Sequence, residues 1–538
     1  MKKIPKGYKQ ISTHLVFDVK HDARHKGRCV ADGHKTDTPL DSVYSGVVSL
    51  RGLRQCIFLG ELNDQDIWAT DIGNAYLEAI TKETVCIKAG EEFRSIGLEG
   101  HLLIIFKALY GLKSSGKRFH ELLSACLREL GFKPSKADPN IYMREGLNRK
   151  GEEVWEYVAT YVDDLCMVMC NPEEFLAKLR ANPYNFKLKG SGELNFHLGC
   201  GFCRDKNGVL YMDPGRYIKK MEESYKNFFG DIPPLRFYSP LEEGDHPELD
   251  TSELLEVDDI VKFQSMIGAG QWSIAIGRMD IQTAIMTLSS FRVAPRVGHM
   301  TRIKRVYVFL FRFKDFKIRF LTDLPDLSAM TPIEYDWTDT AYDKFEEEID
   351  PEAPKPLGKV VQLTHFFDAN LMHDVLSGKS VTGIVHFANQ TPTQWHSKKQ
   401  STSETATYGS EFVAGRTAFE QVIDQRNSWR YLGVPLLKSV MFGDNEAMQK
   451  SSTMPDARLH KRHNILTYHF VRSQIAMGYC SMVHLKSEFN IADIVSKNWG
   501  YNKVWNLLLK PLFHTIGDTA NLYVNDDPSM LNIIPPED

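Results

Sequence analysis

A mixed α/β architecture in two successive units is what the 538-residue sequence predicts. Three observations carry that expectation. Short apolar, β-branched runs alternate with stretches of helical periodicity in the first part of the chain. An acidic, proline-bearing segment then interrupts it. Beyond that segment, strand-like runs come first and a helix–strand–helix order follows. Apolar residues form 43% of the chain, enough for several cores at about 100–200 residues per domain.

In chain order, "EYVATYV" (156–162) and "LCMVM" (165–169) read as strands. Between residues 116 and 132, Phe119, Leu122, Leu123, Cys126, Leu127 and Leu130 recur at helical spacing and Gly131 closes the helix. Residues 334–352 hold nine acids and one lysine, with Pro351, Pro354 and Pro356 at or beyond their end. That composition reads as a solvated linker dividing the chain near residue 355. After it, "VVQLTHFFDANL" and "GIVHFANQTPTQWHS" look like strands, a helix runs from about Ser403 to "YLGVP", "LKSVMFGD" is strand-like, and more helix follows. No internal repeat is visible, which argues against a solenoid.

The net charge of -4 conceals unequal blocks. Residues 1–60 carry 11 Lys and Arg against 5 Asp, and residues 292–320 carry 9 against one Asp. Both are expected to contact phosphates. The nine cysteines lack a paired framework, and the single CxxC, Cys200 to Cys203, has no second pair at zinc-ligand spacing. Reduced, cytosolic thiols are the expectation. The longest apolar runs, 102–106 and 306–311, fall far short of the ~18 residues of a membrane span, and the N-terminus lacks an apolar signal core.

Within "YVATYVDDLCMVM", Asp163 and Asp164 end an alternating apolar strand. Two adjacent carboxylates raise each other's pKa unless a cation offsets them, although a plain hairpin turn also accommodates aspartate. Upstream, "WATDIGNAYLEA" puts Asp71 at the end of another apolar stretch, with Gly73 and Asn74 supplying a turn. Three carboxylates on neighbouring strand ends suit Mg²⁺, which takes hard oxygen ligands. Two such ions, ~3.5–4 Å apart, serve in-line phosphoryl transfer.

"YVDDL", with "ATDIGNAYL", "FKALYGLKSSGKRF", "ADPNIYM" and "LNFHLGCGF" in that order, resembles the reverse transcriptase of copia-type LTR retrotransposons. The resemblance implies a right-hand polymerase of fingers, palm and thumb, with Asp71, Asp163 and Asp164 as metal ligands of the palm. It places Tyr76 beneath the incoming sugar, where a ring excludes a 2′-hydroxyl, and Tyr110 and Gly111 at the nucleotide-binding turn with Lys113 beside them. Lys26 and Arg28 would grip the triphosphate, although Gly27 and Asp32 depart from the family's pattern. Leu198 and Gly199 would turn the hairpin that positions the primer. Gln271 and Trp272 lie on the helix that tracks the minor groove.

Downstream, Asp368, Glu411, Asp444 and Asp493, spaced 43, 33 and 49 residues apart, accompany "SGKSVTGIV", "QWHSKKQ" and "RHNILTYHFVR". Together they resemble the RNase H domain of the same polyprotein, with the four acids as metal ligands and His484 assisting proton transfer. His463 and His469 suggest packing. Asn370 stands where the family has a second acid, and Gly409 where a Glu is common. The resemblance implies residues 1–205 as fingers and palm, 206–300 as thumb, 301–358 as connection and acidic linker, 359–500 as the RNase H-like α/β domain and 501–538 as a tail. It implies RNA-directed DNA synthesis and RNase H cleavage with two Mg²⁺ per site, Mn²⁺ being a substitute. Its partners would be an RNA template, a DNA or tRNA primer, RNA:DNA hybrid and dNTPs. Dimerisation and association with integrase and capsid stay open. The compartment implied is a cytoplasmic virus-like particle, with the nucleus as an alternative. A decayed copy that binds nucleic acid without catalysis is the competing reading; retention of all seven carboxylates argues against it.

Overall fold

The computed structural model describes residues 3–19, 25–38, 42–330, 332–343, 345–459, 462–499 and 512–513. All but two residues of the expected tail therefore lie outside the described residues. The chain forms two compact units, one of residues 1–53 and 65–193, the other of residues 54–64 and 194–538. The division does not fall at the acidic segment near residue 355.

The first unit opens with the antiparallel hairpin β1 (Thr13–Val19) and β2 (His25–Ala31). Its main sheet is built from β3 (Asp66–Ile72), β4 (Lys133–Pro134), β5 (Ile141–Leu147), β6 (Glu153–Tyr161), β7 (Asp164–Met169) and β8 (Leu188–Glu193), in the spatial order β8-β3-β7-β6-β5-β4. Leu165, Cys166, Met167, Val168 and Met169 of β7 are all fully buried. A strand flanked on both edges and covered on both faces requires such an unbroken apolar run rather than alternation. Helix α1 (Ser115–Glu129) joins that core through Phe119, Leu123, Cys126 and Leu127, the stripe expected from their spacing. Helix α2 (Pro172–Arg180) adds Phe175, Leu176 and Leu179.

The second unit begins with β9 (Phe196–His197) and β10 (Cys200–Arg204), followed by helices α3 (Val257–Ala275), α4 (Gln282–Ser289) and α5 (Val297–Arg312). Its five-stranded sheet comprises β11 (Leu363–Asp374), β12 (Lys379–Ala388), β13 (Thr391–Lys399), β14 (Ser439–Gly443) and β15 (Cys480–His484), ordered β13-β12-β11-β14-β15. The first three strands are antiparallel, whereas β14 runs parallel to both β11 and β15. This is the RNase H-like arrangement. The run expected as one strand around "HFANQTPTQ" is instead the hairpin β12–β13, turned at Asn389 with φ 50°. Helix α6 (Thr407–Tyr431) buries Phe412, Ala414, Ala418, Phe419 and Val422 against Phe367 of β11 and Met441 of β14. Helix α7 (Ile465–Ala476) and the short α8 (Asp493–Ser496) complete the domain.

Gly383 sets how closely α8 approaches the sheet. It faces Asp368 across the β11–β12 ladder, and a Cβ built on it would lie 2.7 Å from Ser496 Cβ and 2.8 Å from the Ala492 carbonyl. Only a residue without a side chain lets α8 lie flat there.

Two charge blocks behave otherwise than their composition suggests. The acidic segment keeps most of its acids exposed, yet it is strapped to the five-stranded sheet domain at several points. Glu347 pairs with Arg426 at 2.7 Å and Arg430 at 2.7 Å, and Glu334 with Lys438 at 2.7 Å. Tyr431 donates to Asp350 at 2.5 Å, and the Arg472 guanidinium lies 4.9 Å from the ring of Trp337. The basic block 292–320 is largely spent inside its own unit. Arg302 binds Asp245 and Asp250, Arg305 binds Glu242, and Lys317 binds Asp213. Lys304 lies 3.8 Å from the Phe229 ring centroid and Arg312 3.7 Å from that of Tyr238. Reversing Lys304 and Arg305 therefore tests the fold before it tests duplex binding.

Two stability predictions follow from these contacts. Gly383→Ala should destabilise the second unit by about 1–3 kcal/mol through overpacking, measured by denaturant unfolding; an unchanged midpoint would mean that α8 does not rest on this strand. Burial alone would raise the Glu347 carboxyl, but bonds from Arg426 and Arg430 outweigh it and hold the pKa below the ordinary value. A depressed folded-state pKa stabilises above the unfolded pKa and stops doing so as pH falls through the folded one. Glu347→Gln should therefore cost about 3 kcal/mol at neutral pH, where it strands a buried Arg426. That gap should close as wild type is titrated below pH ~4; a pH-independent gap would remove the ion pair as its cause.

Candidate active sites

In the first unit the antiparallel register of β3 and β7 places Asp71 directly opposite Asp164. Asp163 occupies the two-residue turn between β6 and β7, where Tyr161 pairs with Asp164. Its backbone carbonyl accepts from the Ile72 amide at 2.9 Å, tying the turn to the end of β3. Val162, the other turn residue, has φ 56°. A β-branched residue in the left-handed region is strained, and here the strain sits beside the carboxylates.

All three acids are half-buried. Burial raises the Asp163 carboxyl and Asp71 raises it further, with Lys26 opposing. Burial, then Asp163 and Asp71, push Asp164 up to about 6. Tyr76 and Tyr110 pack at 4.8 Å between ring centroids with their planes tilted by 45°, and both phenols are raised by burial and then by Asp163. The Arg28 guanidinium lies 5.7 Å from the Tyr110 ring. Lys113 donates to the Thr36 carbonyl at 2.8 Å. Gly111 has φ 91°, and a Cβ there would sit 2.0 Å from the Ala31 carbonyl oxygen, so the turn and the end of β2 meet backbone to backbone. The structure thus gathers Lys26, Arg28, Asp71, Tyr76, Tyr110, Gly111, Asp163 and Asp164 in one neighbourhood, with Lys113 alongside.

Leu198 and Gly199, with φ 49° and 86°, form the turn between β9 and β10. A Cβ on Gly199 would lie 3.8 Å from Trp272 Nε1, so the expected primer hairpin and the α3 helix meet within the second unit. Gln271 is exposed and Trp272 half-buried.

The second unit converges the other four acids. Asp368 on β11, Asp444 just past β14 and Asp493 at the start of α8 each offer a carboxylate oxygen within 4.8 Å of the others, the one such trio among the described residues. Asp71, Asp163 and Asp164 do not form such a trio. Glu411, near the start of α6, accepts from the Ala369 amide through Oε1 at 3.3 Å. Its Oε2 is buried without a hydrogen-bond partner. Burial, then Asp368 and Asp444, raise Glu411 well above the ordinary carboxylate value. Burial, then Asp368, raise Asp444 and bring Asp493 to about 7. Hard oxygens of one sign, one of them unpartnered, fit a divalent cation. His484 ends β15, exposed, with Nε2 3.1 Å from the Asp444 carbonyl oxygen.

Two departures from the family's pattern have local explanations. Asn370 bonds His373 at 2.9 Å, and His373 in turn meets Thr287 of α4 at 2.9 Å. At Gly409, a Cβ would lie 2.2 Å from a Glu404 carboxylate oxygen, so Glu404 fills the space a side chain there would take, and His463 binds it at 3.0 Å. His469 packs against Tyr342. Sequence reading missed Lys497, whose ammonium lies 2.7 Å from Asp493 and 3.2 Å from Asp368. A lysine four residues after an acid is the only signal it leaves in the sequence.

Residues 1–226 match the family model described as reverse transcriptase (RNA-dependent DNA polymerase). The retrovirus-related Pol polyprotein from transposon RE1 of Arabidopsis thaliana is 23% identical over 479 residues, which cover 88% of this chain and 29% of that relative. The corresponding polyprotein from transposon TNT 1-94 of Nicotiana tabacum is 22% identical over 514 residues, 93% of this chain and 35% of that one. The chain spans about a third of the length of these curated relatives. A foamy viral protease-reverse transcriptase solved in complex with double-stranded DNA aligns at 12% identity and a TM-score of 0.21, over 92% of this chain and 67% of that one. Residues 1–226 thus match a reverse transcriptase family model, and most of the chain is similar to part of the retrovirus-related Pol polyproteins of these plant transposons.

Proposed function

We propose that this chain copies retrotransposon RNA into DNA and cleaves the RNA strand of the resulting hybrid, using the two carboxylate centres separately. The observation that supports this most is the presence of two acid clusters on strand ends of different units: Asp71 opposite Asp164 beside Asp163, and the Asp368, Asp444 and Asp493 trio with Glu411 nearby.

In the polymerase centre Asp71, Asp163 and Asp164 would hold two Mg²⁺, with Mn²⁺ as a substitute. Such ions supply charge stabilisation and lower the pKa of a bound hydroxyl or water. Lys26 and Arg28 bind the triphosphate of a dNTP, and the Tyr110–Gly111 backbone approaches its base and sugar. The Tyr76 ring, braced by Tyr110, excludes a 2′-hydroxyl. Leu198 and Gly199 position the DNA or tRNA primer on the RNA template, and Gln271 and Trp272 follow the minor groove. In the nuclease centre Asp368, Glu411, Asp444 and Asp493 would hold the ions, and His484 moves a proton near Asp444. Residues 1–205 then act as fingers and palm, 206–300 as thumb, 301–358 as connection and 359–500 as nuclease. Dimerisation, integrase and capsid contacts, and a virus-like particle or the nucleus as location belong to this reading as extensions.

Asp163→Asn should abolish dNTP incorporation on a primed RNA template while hybrid cleavage persists, and Asp444→Asn should do the reverse. Extension assays and labelled-RNA hybrid assays on the same preparations check both; cleavage retained by both variants would eliminate the second centre. Tyr76→Val should raise ribonucleotide relative to deoxyribonucleotide incorporation by at least about tenfold, since the lost contact discriminates by steric exclusion. Competition assays measure it, and an unchanged ratio would return Tyr76 to a packing role.

A further inference from the structure

Four carboxylates share one end of the nuclease-like sheet, and among the described residues Lys497 is the cation that reaches into them. Lys497 follows α8 and places its ammonium 2.7 Å from Asp493 Oδ1 and 3.2 Å from Asp368 Oδ1. The backbone that carries it is anchored because Ser496, the preceding residue, donates from its hydroxyl to the other oxygen of Asp368. The backbone beneath is fixed by Asn490, which donates to the Phe367 carbonyl at 2.9 Å, and by the close contact of α8 with Gly383. Asp368 is almost wholly buried, at 2% side-chain exposure, whereas Lys497 keeps 35%. The ammonium thus bridges a buried acid and a half-buried one from the solvent side. Resting on the nuclease reading above, the question becomes what this charge does when a divalent ion arrives.

We propose that Lys497 is the resident counter-cation of the nuclease centre: it bridges Asp368 and Asp493 when no divalent ion is bound and releases them when one enters. Like charges brought this close are costly without a cation. A tethered ammonium supplies one without closing the site, because it is monovalent and sits on a flexible four-carbon stem. Every divalent ion that takes the same oxygens must displace it. Lys497 is accordingly a positioning residue that sets both the stability of the metal-free centre and the concentration at which metal loads.

The test is Mn²⁺ titration by calorimetry of the full chain at pH 8, in wild type, Lys497→Gln and Lys497→Arg. Ions that disappear in Asp444→Asn identify this centre against any bound elsewhere. Lys497→Gln should bind those ions on the order of tenfold more tightly, since one competing charge at contact distance is gone. Its metal-free unfolding temperature should fall while its Mn²⁺-loaded one stays near wild type; Lys497→Arg should stay near wild type in both. If Lys497→Gln folds only when Mn²⁺ is added, the proposal also stands, because the ion then replaces the missing charge. Equal or weaker Mn²⁺ binding by Lys497→Gln, or equal loss of stability with and without the ion, overturns it and leaves a packing role. Absence in wild type of any ion lost in Asp444→Asn would overturn the nuclease reading itself, a different result from the preceding ones.

Discussion

Holding carboxylates together against their mutual repulsion is the constraint around which both units are built. In the first, the β3–β7 register fixes Asp71 against Asp164, and a strained Val162 turn brings Asp163 to the same edge. In the second, acids from β11, β14, α6 and α8 converge although they are widely separated in sequence. None of these arrangements gains stability from the acids themselves. Their cost is met by the surrounding core: the fully buried β7 strand in one case, the α6–β11–β14 contact in the other. A rigid scaffold is what lets side chains that repel one another stay at close range.

Four of the acids were legible because each sits where a pattern stops. An alternating or continuous apolar run that ends in Asp or Glu marks a strand end, and the structure has Asp71, Asp163, Asp164 and Asp444 at such ends. What was not legible depends on partners distant in the chain. Glu347 reads as one acid in a solvated run because nothing nearby announces Arg426, 79 residues further on. The basic block misled for a related reason. A charge count sums over all faces of a helix, whereas α5 buries Ile303, Val306, Tyr307 and Leu310 and turns its cations onto acids and rings of the same unit. Lys497 is harder still to see, since four residues from Asp493 it resembles an ordinary surface pair on a helix.

Departures from a family's pattern are informative when the vacated space is followed. Gly409 lacks the acid common at its position, yet a carboxylate occupies the volume: that of Glu404, reached from the loop before α6 and bonded to His463. Asn370 likewise gives up a charge two residues from Asp368 but joins a chain of hydrogen bonds through His373 to Thr287. Burial pushes the His373 imidazole down to about 4, so at neutral pH it bonds as an uncharged group. Removing a negative charge at 370 lowers the repulsion on Asp368, and the amide's two-sided hydrogen-bonding capacity makes the connection to α4 in its place.

That connection is one of several by which the nuclease-like sheet is built into the helical part of its unit. Trp395 of β13 donates to the Ile274 carbonyl at 3.1 Å, Arg54 donates to both Thr393 and Ala275, and Asn498 donates to the Asp245 carbonyl. These bonds involve buried or half-buried groups, so breaking them leaves polar atoms without water to replace the partner. A sheet tied to the helical part of its unit in this way cannot swing freely on the acidic segment, which is itself strapped down by Glu347 and Asp350. The α3 surface that carries Gln271 and Trp272 and the sheet end that carries Asp368, Glu411, Asp444 and Asp493 therefore belong to one packed unit. The spacing between those two surfaces is then a property of the packed core, set when the unit folds.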